Sequence, residues 1–440
     1  MNKKVRVGAG LPWSFTDKQF TAWGGMRVFE EMLRRLGWEQ ALSRAPLPQP
    51  GSNRGIDPVL MVQSFLVTIW TGGGRFAHTA LVRFDEALRC IFGLSHVASV
   101  STFTRFFRRF GPEELQGVFN HLAQWLWERV KAGNWTVDLD SSVLTRYGNQ
   151  EGCQLGYNPW HRGKKSHHPL MAFAAECRMV ITAWLRPGNT NDCNNVEHFF
   201  REVLAVLGKR HRIGLLRCDC GFCIGGFLDL LESEGINYIM PARLLSTVKK
   251  KINALKDWVE IDDSKAVAEF LYQADGWSKA RRVVVVRHRI QDRQGRALIE
   301  VPGYTYSVYV TNLTLPALQV RALYQGRADS ENRIKELLQD FAISGFVSHK
   351  FWATEAAFRL ACCGYNLMSL FRQMLLGAAS KHTLGTLRTQ CFAIGASLGR
   401  AAHQRLLRVG LPRPRRSWFR GLFASLKKLK APYELGKAYS

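Results

Sequence analysis

Three acidic residues stand where reactive acids collect. Asp140 closes an alternating apolar–polar stretch, Trp135-Thr136-Val137-Asp138-Leu139-Asp140, which is the period of a strand. Asp219 follows Ile213–Leu216, a short run that reads as a second, buried strand. Glu331 lies within Ala328 to Phe341, a strongly helical segment. Strand ends in α/β sheets are where sites gather. Three carboxylates brought together repel unless cations neutralise them, and an all-oxygen ligand set selects Mg2+ or Mn2+. Two such ions, about 3.5–4 Å apart, activate the attacking oxygen and stabilise the leaving one in a phosphodiester displacement. Asp140, Asp219 and Glu331 are therefore the candidate catalytic and metal-binding residues, and two ions are expected.

The surroundings of these acids add weight unequally. Tyr324, Arg327 and Glu331 fall at i, i+3 and i+7, one face of a continuous helix. An Arg one turn before a metal-binding Glu can hold a DNA phosphate or steady the carboxylate, and a Tyr one turn earlier can hydrogen-bond a second phosphate. The plainer reading is a surface ion-pair stripe that also takes in Lys335 and Glu336. Asp138 and Asp140 share one face of one strand, about 7 Å apart, and the pattern does not choose between them. Cys218, Cys220 and Cys223 bracket Asp219, but a second Cys pair at zinc-site distance is missing, which favours small buried thiols. Gly72-Gly73-Gly74 lacks a following Lys-Ser/Thr, so no nucleotide cofactor is expected.

Elements must position these residues. Residues 1–133 read as helical: Met26–Gly37 has helical apolar spacing and a terminal Gly, and Asp57 caps a second apolar helix, Val59–Trp70. Residues 134–242 turn to strands and helices, with strands at Leu170–Ala175, Val180–Leu185 and Ile236–Met240 and helices at Val196–Leu207 and Phe227–Glu234. This is an α/β texture. Residues 243–316 form a β-rich, basic insertion, with strands at Val283–Val286, Ala297–Val301 and Tyr304–Val310. Residues 317–376 return to helix, including Ala353 to Leu376, and complete the core with the helix that carries Glu331. Residues 377–440 read as a basic helical region.

The charge points to the partner. Lys plus Arg number 61 against 35 Asp plus Glu, a formal net of +26, which favours a polyanion, ordinarily nucleic acid. Three basic groups are candidates for DNA contact. Arg105, Arg108 and Arg109 crowd one side of a helix that Ser101 or Thr102 can cap, which suits a recognition helix or, equally, a packed helix with a basic outer face. Arg162, Lys164 and Lys165 lie with His161, His167 and His168 in a basic loop after the first strand. Arg413, Arg415 and Arg416 open a tail in which Arg and Lys interleave with Trp418 and Phe419, as backbone tracking and base stacking require; a solvated helical face is the alternative. Trp277 and Tyr304 to Tyr309 in the insertion either pack the sheet or stack on a displaced base. Scattered cysteines, the absence of a signal-like amino terminus and the shortness of the apolar run Leu360 to Phe371 predict a soluble cytoplasmic protein with reduced thiols and no membrane span.

Five stretches carry a resemblance: VDLDSS at Val137–Ser142, GYNPWHRGKKSHHPL at Gly156–Leu170, RPGNTND at Arg186–Asp192, RCDCGF at Arg217–Phe222 and YQGRADSENRIKEL at Tyr324–Leu337. In combination, order and spacing they resemble the DDE transposases of bacterial insertion sequences, in the branch with a Tyr-x2-Arg-x3-Glu-x6-Lys signature, and within it the insertion-sequence group thirteen-eighty. The resemblance covers most of the chain, from about residue 20 to 430. It implies an RNase H-like catalytic core interrupted by a β-rich insertion between the second Asp and the Glu. It implies an enzyme that binds the inverted repeats of its element, cuts them and joins the 3′ ends to target DNA, as a homodimer on double-stranded DNA in the bacterial cytoplasm, at the nucleoid. The metal-binding Asp of the family directly precedes a small hydroxyl residue, which selects Asp140-Ser141 over Asp138. The signature's final Lys falls on Leu338, and Lys335, one turn nearer Glu331, is the candidate in its place. Alternative expectations are a non-catalytic, sequence-specific DNA-binding protein of domesticated origin and an RNase H-like nuclease that does not join ends.

Overall fold

In the computed structural model, residues 14–290, 303–376 and 382–435 are described. A two-residue strand, β1 (Phe20–Thr21), precedes seven helices: α1 (Met26–Leu36), α2 (Trp38–Arg44), α3 (Pro58–Trp70), α4 (Thr79–Phe84), α5 (Glu86–Ile91), α6 (Val100–Phe107) and α7 (Pro112–Glu128). α1 buries Met26, Val28, Phe29, Met32, Leu33 and Leu36 and stops at Gly37, whose φ of 75° suits a residue without a side chain. α3 begins as its sequence implies: the Asp57 carboxylate accepts from the Val59 amide at 2.8 Å, with Pro58 in the first turn. α6 starts earlier than expected. Its N-cap is Ser99, and the Ser99 hydroxyl bonds to the hydroxyls of Ser101 and Thr102 rather than to a backbone amide.

The central layer is one nine-stranded sheet. Its first part comprises β2 (Asn134–Ser141), β5 (Leu170–Ala174), β6 (Met179–Trp184), β7 (Arg212–Arg217) and β8 (Asn237–Pro241); β3 (Leu144–Thr145) and β4 (Ser166–His167) form a separate small ladder. The order is β6-β5-β2-β7-β8, with β5 antiparallel to β2 and β6, and β2, β7 and β8 mutually parallel. Helices α8 (Val196–Leu207) and α9 (Gly225–Ser233) make the two parallel crossovers.

After α10 (Ser246–Asn253), four strands continue this same sheet: β9 (Val259–Asp262), β10 (Lys265–Tyr272), β11 (Arg281–Arg289) and β12 (Tyr304–Thr311). The last of them, β12, returns to pair antiparallel with β8, and β11, β10 and β9 follow outward. The strands of residues 243–316 thus extend the sheet instead of standing apart from it. The run Val283–Val286 is fully buried because both faces are covered: Val283 and Val285 face the main core, while Val284 and Val286 pack with Tyr309, Ala317 and Val320 under α11 (Ala317–Gln325). β9 ends the sheet as a four-residue exposed strand carrying Glu260 and Asp262, which suits an edge. β9 and β10 have no counterpart in the sequence reading, and the expected strand Ala297–Val301 lies outside the described residues.

Helix α12 (Ala328–Asp340) leads to α13 (Phe351–Leu375), which is buried almost throughout and packs on β6, α3, α6 and α7. The Trp70 indole donates to the Gly364 carbonyl at 3.1 Å, joining α3 to α13. A side chain at Gly364 would meet Leu66 and Trp70 at 3.1 and 3.3 Å, so this crossing uses the absence of one. The carboxy-terminal region corrects the helical expectation. After α14 (Leu384–Leu387), β13 (Ala396–Ala401) and β14 (Gln404–Val409) form a hairpin that pairs with β1, and only then comes α15 (Arg413–Lys428). No helix among the described residues is long and apolar enough to cross a membrane.

Candidate active site

β2 and β7 are neighbouring parallel strands, so their carboxyl ends lie at one edge of the sheet. Asp140 is the next-to-last residue of β2. Asp219 lies two residues beyond β7 and caps a single 3-10 turn, Cys220–Phe222, its carboxylate accepting from the Cys220 amide at 2.6 Å. The start of α12 faces them. An Arg327 guanidinium nitrogen is 3.1 Å from one Asp140 oxygen, and the Ser330 hydroxyl donates to the other at 3.0 Å. Burial pushes the Asp140 carboxyl above its usual range against the pull of Arg327 and Ser330, and the nearby Asp219 charge pushes the same way. Burial draws Arg327 down, but Asp140, Tyr324 and Asp219 together outweigh it and leave that guanidinium above its usual value.

Asp138 is a different kind of acid. Its side chain is 0% exposed. Arg217 donates to both carboxylate oxygens at 2.7 and 3.0 Å, and Arg333 donates to one of them at 3.1 Å. Arg333 also reaches Asp329 at 3.0 Å and the Ala175 carbonyl at 3.1 Å, Asp329 pairs with Arg178 at 2.9 Å, and Arg217 donates to the Leu323 carbonyl at 2.6 Å. Five charges thereby tie β2, β7, the β5–β6 turn, α11 and α12 together. This network fixes the start of α12 over the strand ends and so positions Arg327, Ser330 and Glu331. Asp138, with both oxygens engaged by arginines, is committed to structure, whereas Asp140 faces the site edge. Sequence reasoning left Arg217 and Arg333 out. Their signal was an Arg immediately before the Cys-Asp pair and another two residues after Glu331.

The continuous helix expected to carry Tyr324, Arg327 and Glu331 is interrupted, although Tyr324 and Arg327 still neighbour each other and Asp219. α11 ends at Gln325, and the link to α12 tightens into i to i−3 bonds: Arg327 to Tyr324 at 2.9 Å and Ser330 to Arg327 at 2.8 Å. Gly326 lies against Arg217, whose guanidinium would be 2.5 Å from any added Cβ. Tyr324 turns inward, its ring 5.1 Å from Tyr309 and its hydroxyl donating to the Cys218 carbonyl at 3.5 Å, and burial pushes its phenol up. Arg327 points at Asp140. Glu331, in the first turn of α12, is exposed, as is Lys335, while Leu338 is half-buried. Glu336 is no part of a surface stripe: it is buried, 3.4 Å from Arg372, and accepts from Tyr365 and from the Leu384 amide.

Asp140 and Asp219 therefore meet, Glu331 lies one residue beyond Ser330, and among the described residues no three His, Cys, Asp or Glu side chains converge tightly enough to hold a metal together. The donor set nonetheless fits a hard divalent cation. It offers only oxygens, and burial of Asp140 together with the nearby charge of the exposed Asp219 raises the Asp140 carboxyl, a cost that an added positive charge would relieve. The neighbouring thiols do not fit a thiolate site. Burial pushes Cys218 well above the usual thiol range, Cys223 to about 12 and Cys220 upward, so all three stay protonated at neutral pH.

The basic candidates lie on three separate elements. Arg105, Arg108 and Arg109 are exposed around the end of α6, whose other face buries Phe103, Phe106 and Phe107; Arg109 donates to the Gln49 carbonyl at 3.1 Å. Arg162, Lys164 and Lys165 are exposed in the β3–β4 connection, whereas His167 and His168 of the same run are buried. Arg413, Arg415 and Arg416 are exposed in the first turn of α15, and Arg415 lies 5.2 Å over Trp418. α15 buries Phe419, Leu422 and Leu426 at helical spacing, so it is a docked helix with a basic outer face. On the outer strands of the sheet, Arg287 sits 4.3 Å from Trp258 and 4.8 Å from Tyr304, and Arg281 sits 5.3 Å from Trp277. Those rings are occupied by the protein's own cations.

The family described as transposase DDE domain group 1 matches residues 4–431. Among solved structures, the chain is similar to one of a piggyBac transposase synaptic complex with hairpin DNA, at 12% identity and a TM-score of 0.47, over 83% of this chain and 78% of that one. No curated protein sequence matches. The match across nearly the whole length places the chain in the DDE transposase family.

Proposed function

We propose that this protein is the transposase of a bacterial insertion sequence, in the Tyr-x2-Arg-x3-Glu branch and its group thirteen-eighty, acting at the nucleoid on the inverted repeats of its own element. Residues 134–242 and 317–376 are then the two parts of an RNase H-like core, and residues 243–316 its insertion. Residues 1–133 and 377–440 supply DNA contacts through Arg105, Arg108, Arg109, Arg413, Arg415 and Arg416. The observation that carries the reading is the meeting of Asp140 and Asp219 at adjacent parallel strand ends, under the turn of α12 that bears Arg327 and Glu331.

In this reading Asp140, Asp219 and Glu331 hold two Mg2+ or Mn2+ ions, whose chemistry is to activate an attacking oxygen and stabilise a leaving one. Glu331, exposed in the first helical turn, would join the pair only when the metal and DNA are bound. Arg327, set against Asp140, is placed to accept a DNA phosphate in exchange for that carboxylate. Ser330 keeps the Asp140 carboxylate oriented. Tyr324, hydrogen-bonded to the Cys218 carbonyl, braces the loop that presents Asp219 and contributes to DNA binding through that loop. Arg162, Lys164, Lys165 and Lys335 are exposed cations for the flanking phosphates. Water attacks phosphorus and the P–O3′ bond breaks, leaving a 3′ hydroxyl. That hydroxyl then attacks a target phosphodiester, so the number of phosphodiester bonds is conserved in the joining step. Two ends require two subunits, so the working form is a homodimer on double-stranded DNA.

The test is Asp219→Asn. It should abolish Mg2+-dependent cutting of a donor plasmid while end binding in a gel shift is retained. A variant that still cuts would sink the assignment. Cutting by the wild type without strand-transfer products would favour a nuclease.

A further inference from the structure

The connection between β3 and β4 is rigid at its base and apolar at its tip. At the base, Leu144 pairs with His167 and Thr145 with Ser166, and the Arg146 amide donates to the Lys165 carbonyl at 2.8 Å. Asn158, buried inside the loop, donates to the Thr145 hydroxyl at 3.0 Å and accepts from the His161 amide at 3.0 Å. Gly156 lies so close to Gly188 that an added Cβ would be 1.9 Å from its carbonyl oxygen. His167 is clamped between the Arg146 guanidinium at 3.0 Å and the Glu151 carbonyl at 3.0 Å. This frame holds three large rings in solvent: Tyr147, Tyr157 and Trp160 are 78%, 77% and 80% exposed. Leu155 is also exposed.

Large rings held so far out on a braced loop mark a contact surface. The cations among them name the partner. His161, Arg162, Lys164 and Lys165 are all exposed, and the loop's one acid, Glu151, is turned to the Phe351 amide at 3.0 Å. Protein interfaces are depleted of Lys at their centres, whereas rings interleaved with cations match a strand whose phosphates run past the cations while its bases stack on the rings. Bases paired in a duplex present only their edges, so the rings require unpaired ones. The loop also springs from β3, four residues after Asp140, which places its root within about 14 Å of that carboxylate along the chain.

We propose that this loop is a stacking platform for unpaired DNA bases, with Trp160 and Tyr157 taking base faces and Arg162, Lys164 and Lys165 following the phosphates. The proposal rests on the transposase reading above and deepens it: it adds a single-stranded segment beside the cutting site as a ligand in its own right.

The experiment uses the full chain carrying Asp219→Asn, so that nothing is cut. Fluorescence anisotropy compares a labelled single strand of about 16 nucleotides with a blunt duplex of the same length. Trp160→Ala and Tyr157→Ala should each weaken single-strand binding by about tenfold or more and leave duplex binding within about twofold, with Trp160→Phe restoring most of the loss. Both positions are exposed, so the melting temperature should not move, and a melt verifies it. Equal losses on both DNAs, no loss on the single strand, or no measurable single-strand binding by the parent protein would overturn the proposal. Sedimentation without DNA adds one more outcome: a dimer that dissociates on Trp160→Ala while single-strand binding is unchanged would assign the rings to a protein interface and also overturn it. Because the assay contains no cleavage step, failure here is distinct from failure of the catalytic assignment, which plasmid cutting by Asp219→Asn alone decides.

Discussion

Asp138 and Asp140 stand two residues apart on one strand, yet they belong to different environments. Asp138 is sealed, with three arginine contacts at 2.7 to 3.1 Å. Asp140 is 14% exposed at the edge of the sheet, with one Arg, one Ser and a second carboxylate for neighbours. The first acid is a structural anchor whose charge is satisfied by the fold. The second carries a charge that the fold leaves costly. In the proposed reading, a cation would sit on the second kind of acid, held on a scaffold fixed by the first kind.

The largest contrast is expected in catalysis. Asp140→Asn should lower plasmid cutting by at least about 100-fold and leave the fold intact, as read by circular dichroism.

Next come the stabilities. Arg333→Met removes one of the three arginine contacts of the sealed Asp138, and breaking such a buried pair costs up to about 3–5 kcal/mol, readable as a drop in the urea midpoint. Asp140→Asn should do the reverse. Its folded carboxyl is raised above the unfolded value, so the acid stabilises the fold only below its unfolded pKa, and that contribution disappears as pH rises through the folded pKa. At pH 7 without divalent ions the Asn variant should therefore melt no lower than the wild type, and only the wild type should gain stability on adding Mg2+. If Asp140→Asn and Arg333→Met destabilise alike, the two environments are not distinct.

His167 offers a third comparison, at the root of the ring-bearing loop. Burial depresses its pKa to about 4, and its two ring nitrogens are satisfied as one acceptor from Arg146 and one donor to Glu151. A folded pKa below the unfolded one gives stability that is present above about pH 6.5 and lost as pH falls through that value toward 4, at most about 3 kcal/mol. His167→Gln should flatten that acid limb in a melting series from pH 7 to pH 4. The smallest effect is expected at the exposed Lys335: Lys335→Ala should reduce the slope of log affinity against log salt by about one and spare the stability.

The elements that carry the candidate acids were more legible in the sequence than their surroundings. Helix α8 occupies Val196–Leu207 as its apolar spacing requires, and β2 and β7 lie where alternation and a buried run place them. These elements report their structure locally. The ion network does not, since Arg333 and Asp138 are 195 residues apart and neither looks unusual alone. The break between α11 and α12 was not legible, because an unbroken helix was read across Gly326 and Arg327, where the turn tightens and the Tyr324 ring packs toward Tyr309. β9 and the β13–β14 hairpin escaped notice because their residues are largely exposed, leaving little apolar alternation to read. The rings at Tyr147, Tyr157 and Trp160 were invisible as a group until exposure showed that none of them is core.

Glu331 bears the most on the central claim, because its side chain is exposed and stands apart from the two aspartates while the reading requires all three acids in one reaction. The direct measurement is cutting of a supercoiled plasmid bearing the element's ends, in Mg2+, by the wild type and by Glu331→Gln at equal end binding. The account expects the wild type to cut and join and the variant to do neither. A Glu331→Gln protein that cuts at the wild-type rate would contradict it.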